Sequence, residues 1–203
     1  MRQQRFSHGL VVALVLSLYL VLATAACAGD LIELTRLDAG QLSQKITAYQ
    51  KALERSPQDQ ETLKALGVSY HIKAGNDREK FSPLALKYLT RAHEADKTDY
   101  AVMGYLGSAI CGMAKTTWNP LKKKAYVLEG TLLMNEAVEK APDNMTVRWI
   151  RGKTSMSLPA ILWKGDPALV DFEHLAALIE QNPDTYDWLK EKVTDTLARL
   201  RKQ

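Results

Sequence analysis

Apolar residues recur at helical spacing along most of this chain. In QLSQKITAYQKALERSP, Leu42, Ile46, Tyr49 and Leu53 follow at steps of four, three and four. That spacing puts them on one face of a helix. Trp188, Val193, Leu197 and Leu200 make a similar stripe near the C-terminus, with charges on the other face. Asp184 or Thr185 is placed to cap that last helix, and Arg199, Arg201 and Lys202 suit its C-terminal dipole. Asn, Asp, Gly and Pro punctuate the segments. No stretch alternates apolar and polar as a half-buried strand does. The pattern predicts an all-α chain. One segment is unusually thin: MGYLGSAICG, residues 103–112, holds Gly104, Gly107, Ser108, Ala109, Cys111 and Gly112. Each helical glycine costs about 1 kcal/mol relative to alanine, so the thinness needs a reason.

The start of the chain has a different pattern. LVVALVLSLYLVLA, residues 10–23, is an apolar run broken only by Ser17. Arg2 and Arg5 precede it and the small-residue cluster TAACAGD comes after it. These are the three parts of a secretory signal peptide, and the run is short for a membrane span of about 20 residues. Residues 1–28 are therefore expected to be a leader, and 29–203 a single helical domain. Thr24-Ala25-Ala26-Cys27 resembles a bacterial lipobox, although Thr24 stands where that pattern prefers Leu. Cleavage before Cys27 would leave a lipidated N-terminus and a periplasmic protein held on the membrane. Ordinary cleavage after Ala28 is the alternative. Cys111 is the other cysteine, so the protein is not a disulfide scaffold.

The helix ends repeat. Tyr49, Ala52 and Pro57 have the spacing of Leu89, Ala92 and Lys97, of Met134, Ala137 and Pro142, and more loosely of Leu175, Leu178 and Pro183. The stops lie 40, 45 and 41 residues apart. After the first two come Leu63-x-x-Leu66-Gly67-x-x-Tyr70 and Met103-x-x-Leu106-Gly107-x-x-Ile110. This resembles the tetratricopeptide repeat, W-x₂-L-G-x₂-Y then A-x₃-F then P over 34 residues. The resemblance implies a right-handed solenoid of helical hairpins, about three repeats plus capping helices. It implies that Gly67 and Gly107 sit where paired helices approach most closely. In the third copy, Val147 and Ile150 fill the apolar slots, which leaves Arg151 in the glycine slot. The other register puts Gly152 there and Arg151 in a leucine slot, where an unpaired buried arginine is expensive.

Each repeat exceeds the family length. The surplus is assigned to loops at 71–82, 111–124 and 153–166, two of which carry Trp118 and Trp163. These loops either cover exposed core or form the rim of a binding site. The resemblance also implies that the first helix of each pair lines a concave groove. The lining positions are then Lys64, Val68 and His71, then Gly104, Ser108 and Cys111, then Arg148, Gly152 and Ser155. The small middle set leaves a gap, to be filled by this chain or by a ligand. Lys64 and Arg148 on either side suit a carboxylate or an acidic peptide.

Chemistry adds little. No H-E-x-x-H, G-x-S-x-G, Walker loop or C-x-x-C is present, so no catalytic residue, metal or cofactor is assigned. His93-Glu94 and Glu173-His174 read as solvated surface, and Asp166 as turn chemistry. Cys111 and His71 can imitate a nucleophile and base, but no third group orients them. The formal charge of +4 falls to +2 without Arg2 and Arg5, and Lys122-Lys123-Lys124 is isolated, so nucleic acid is not expected as a partner. The expected function is an exported scaffold that binds a protein or peptide in its groove. The alternative is a small-molecule-binding accessory lipoprotein of a solute transport system.

Overall fold

The computed structural model describes residues 31–159 and 165–202. The expected leader, residues 1–28 with Cys27 and Ala28, and Trp163 lie outside the described residues. A 3-10 helix, Leu31–Arg36, is followed by eight α-helices: α1 Ala39–Arg55, α2 Gln60–Lys73, α3 Arg78–Ala95, α4 Tyr100–Met113, α5 Pro120–Lys140, α6 Met145–Ser155, α7 Pro167–Gln181 and α8 Pro183–Leu200. No strand occurs among the described residues, so the fold is all-α.

Short polar side chains set most helix starts by accepting otherwise unpaired backbone N–H groups. Asp38 accepts from the Gly40 and Gln41 N–H groups, while Gln41 Oε1 accepts from the Asp38 N–H, a reciprocal capping box. Asp59, Asp99 and Asn144 cap α2, α4 and α6. They recur 40 and 45 residues apart, each closing a four-residue connection at 56–59, 96–99 or 141–144. Asp77, Asn119 and Asp166 cap α3, α5 and α7. The expected cap of the last helix is corrected. Neither Asp184 nor Thr185 starts α8, because Pro183 already opens it after Asn182, which makes no side-chain cap bond there. Asn182 Nδ2 instead donates to the Leu178 carbonyl at 3.0 Å, closing α7.

The expected loops are corrected too. Because Asp77 and Asn119 cap early, α3 and α5 absorb most of the surplus, and the connections shrink to 74–77 and 114–119. Consecutive helices pack on one another, and α4 also touches both α2 and α6. Leu63, Leu66 and Tyr70 of α2 share one core cluster with Ala85, Leu89 and Ala92 of α3, and with Val102 and Tyr105 of α4. Phe172, Leu175, Leu189 and Val193 centre a second cluster between α7 and α8. The 3-10 helix bridges them. Ile32 is fully buried in the second cluster, while Leu31 and Leu34 pack on the first.

Gly152, and not Arg151, makes the helix contact that corresponds to those of Gly67 and Gly107. A Cβ on Gly67 would meet Leu89, one on Gly107 would meet Gly130 O and Met134, and one on Gly152 would meet Phe172 and Asp171. Gly152 is thus the equivalent close-approach position, at the interface with α7. An unpaired arginine would be costly here, but Arg151 is paired: its Nε and Nη2 donate to Asp171 Oδ2 and Oδ1, both at 2.7 Å. Arg148 Nη1 donates to the same Oδ1 at 2.9 Å, and its Nε to the Pro142 carbonyl at 2.6 Å.

Candidate functional site

Small residues near the C-terminal ends of α2, α4 and α6 leave a cleft of about 450 Å³, bordered also by the start of α3. Its walls include Ala85, Ala109 and Ile150, and its rim carries Arg78, Lys115 and Lys153. No described lining residue is acidic. Gly112 widens it, since a Cβ there would meet only Ser82 Oγ at 3.8 Å.

A polar network crosses the interior. Ser108 Oγ lies 2.7 Å from Thr154 Oγ1 and 3.3 Å from His71 Nε2. Burial holds His71 down to about 4, so the ring is neutral at pH 7. Burial pushes the Cys111 thiol up to about 12, with Lys115 pulling slightly the other way. That thiol donates weakly to the Val127 carbonyl at 3.7 Å. His71 therefore bonds to Ser108, and neither it nor Cys111 is charged at neutral pH. The desolvation of Lys115 lowers its ammonium pKa, and repulsion from Arg78 lowers it further.

The depressed His71 value has a pH consequence. An unfolded histidine titrates near 6.5, so between about pH 6.5 and 4 the unfolded chain binds a proton that the folded chain does not. Stability from this group is complete above pH 6.5 and is lost as pH falls through that window. Because the ring also borders the cleft, we expect a loss of about 2 kcal/mol, less than the full shift implies. Urea unfolding at pH 7 and 4.5 should show this loss, and His71→Gln should reduce it by more than half. An equal loss in the variant would remove His71 as the cause.

Of the expected groove residues, His71, Ser108 and Cys111 line this cleft; the others do not. Val68 is buried in the core cluster on which Leu31 and Leu34 pack. Gly104 is not open: a Cβ there would meet Ile150 Cγ2 at 3.0 Å. Arg148, Gly152 and Ser155 face other ties. Arg148 is spent on Asp171, Gly152 on the α7 contact, and Ser155 Oγ donates to the Gly152 carbonyl at 2.9 Å. Lys64 is not a free cation either; it pairs with Glu61 and Asp99, both at 2.8 Å. Burial lowers its pKa, but those carboxylates outweigh it and the net shift is upward. Trp118 neither covers core nor borders the cleft, being 96% exposed. The rim cations Arg78, Lys115 and Lys153 are not among the expected residues. The signal for Lys153 is its spacing: it follows Gly152 by one residue, as Ser108 follows Gly107.

No protein-family model, curated protein or solved structure matches this chain.

Proposed function

We propose that this chain is a tetratricopeptide-like binding protein of the bacterial cell envelope that takes a small organic anion in the α2–α4–α6 cleft. The carrying observation is the rim: Arg78, Lys115 and Lys153 surround the opening, and no acidic side chain among the described residues lines it. Helix C-termini do not account for these charges. Three such ends bring roughly half a negative charge each, and the start of α3 returns roughly half a positive one. Three full cations leave the rim net positive. Its size, about 450 Å³, lies in the range of small-molecule sites, roughly 300–1,000 Å³. Ser108 and Thr154 supply hydroxyls, and the alanines and Ile150 an apolar wall.

Two contacts favour a small anion over a peptide as the occupant. Ile150 seats against Gly104, and the 3-10 helix touches both α2 and α6. Tetratricopeptide-like architecture is supported by the recurrence of Gly67, Gly107 and Gly152 with the caps Asp59, Asp99 and Asn144. Residues 1–28 support the envelope location.

The test is calorimetry on the full chain, extracted from the membrane fraction, against a panel of carboxylates and phosphate monoesters with neutral analogues. At least one anion should bind and its neutral analogue should not. Lys153→Glu should weaken it at least tenfold, about 1.4 kcal/mol. Gly112→Trp should block it without lowering the melting temperature, because the new side chain enters the cleft. If no anion binds, or binding survives both substitutions, the reading fails. Recovery of the protein in the soluble fraction alone would remove the membrane tether from it.

A further inference from the structure

The outer face of α5 carries an apolar seam that no described residue covers. Leu121 is 77% exposed, Leu128 57% and Leu132 60%, and Ala125 between them is exposed as well. Their steps of four, three and four put them on one stripe, which Trp118 extends beyond the helix start. The opposite face of α5, with Gly130, Met134, Ala137 and Val138, is buried. Leaving this stripe in water forgoes the burial of three leucines.

The charges beside the seam are polarised along the helix. Lys122, Lys123 and Lys124 stand at its start; Glu129, Glu136 and Glu139 lie toward its end, where Lys140 offsets one of the three; all are exposed. None makes an ion pair among the described residues. Lys123 only rests over the Trp118 ring, 5.8 Å from its centroid. Lys122 and Glu129 are seven residues apart, two turns along the same flank of the stripe. That placement makes the face complementary to itself in one direction. Antiparallel helices paired about the Ala125–Tyr126 step, inside the seam, bring Lys122 of each copy opposite Glu129 of the other. A parallel pair sets the lysines of one copy beside those of the other. An anionic lipid surface would attract the lysines but repel the three glutamates.

We propose that α5 is the interface of an antiparallel homodimer of this chain, sealed by Leu121, Ala125, Leu128 and Leu132 and oriented by Lys122–Glu129 pairs. The arrangement is isologous, the same patch on both copies, with leucines as the seam and flanking charges choosing the direction. This interface is independent of the anion cleft, which opens between other helices. One helix pair makes a small interface, so the dimer is concentration dependent.

The experiment is bismaleimide cross-linking of Ala125→Cys in the full chain in whole cells, with Leu128→Glu as the seam-breaking variant. A covalent dimer is expected, and Leu128→Glu should abolish it while leaving the melting temperature of the purified protein unchanged. Lys122→Glu should cut the yield at least fivefold, and adding Glu129→Lys to the same chain should restore it. No covalent dimer overturns the proposal, as does a dimer that survives Leu128→Glu. So does a charge-swapped chain that stays as weak as Lys122→Glu. A lower melting temperature in Leu128→Glu would overturn it by showing that the chain's own segments, 1–30 or 160–164, cover the seam. Binding of a monomer to anionic vesicles that Lys122→Glu removes would overturn it by assigning the face to lipid.

Discussion

Replacing Asp171 with Ala should cost this protein about 3–5 kcal/mol, a large part of the stability of an ordinary domain, about 5–15 kcal/mol. Asp171 is fully buried on α7 and accepts from two arginines of α6. Its removal leaves two largely buried guanidinium groups facing a void. Neither can shed its proton, and neither can reach water without pulling α6 from α7. Asp171→Asn should cost nearly as much, since it keeps the shape but loses the charge. The arrangement itself need not be worth that much. Desolvating three charges offsets most of their attraction, so an apolar replacement of the whole group can be near neutral. A triple variant, Asp171→Leu with Arg148→Met and Arg151→Leu, should therefore recover most of the loss. Urea unfolding measures both. A loss under about 1 kcal/mol for Asp171→Ala would mean that the arginines find other partners.

That same cluster marks where local pattern fails as a guide. Leu63, Leu66 and Gly67 declare their roles because apolar spacing and a glycine slot lie within one helix turn of each other. The segment read as a third copy carries Arg148 and Arg151 where apolar residues are expected, and their partner lies 20 residues or more downstream on another helix. No helical periodicity links them, so the register that looks cheaper in sequence turns Arg148, Gly152 and Ser155 to the wrong side. The surplus length misleads for a related reason. Residues 78–82 and 120–124 are too polar to look like core-facing helix, yet Asp77 and Asn119 cap them into helices whose apolar residues come later. The all-α class is legible throughout, because Leu42, Ile46, Leu53, Val193, Leu197 and Leu200 are buried as their spacing requires.

The candidate site is legible in part. His71, Ser108 and Cys111 come together because α2 and α4 share one pattern and one register. The rim does not come from that pattern. Arg78 enters from the start of α3, and Lys115 lies just beyond the end of α4. The expected cations have nearer carboxylates, Asp99 for Lys64 and Asp171 for Arg148. Ile32 lies in the short 3-10 helix Leu31–Arg36, which carries no repeat pattern, yet it is fully buried.

The thinness of α4 answers to contacts on more than one side, and substituting its glycines should separate them. At Gly107 an added Cβ would lie 2.6 Å from the Gly130 carbonyl and 2.9 Å from Met134 Cγ. At Gly130 it would strike the Gly107 carbonyl and Cys111 Sγ. Backbone carbonyls cannot rotate aside as a side chain can, so α4 and α5 must move apart along their whole contact. Gly107→Ala and Gly130→Ala should each lose about 3 kcal/mol by overpacking, against a helix-propensity gain of about 1 kcal/mol. Gly104→Ala should cost less, because it meets a side-chain methyl, Ile150 Cγ2 at 3.0 Å, that can give by a few tenths of an ångström. Gly112→Ala faces the cleft and meets nothing closer than 3.8 Å, so it should keep the propensity gain and stabilise by up to about 1 kcal/mol. The four changes add one methyl each to nearby helical glycines, so propensity alone predicts that all four stabilise. The ordering Gly112, then Gly104, then Gly107 with Gly130 holds only if α4 lies against α5 on one face, α6 on a second and the open cleft on a third. Thermal melts of the four variants decide it. A Gly130→Ala protein that melts at or above the parent would mean that the α4–α5 contact is looser than the one described.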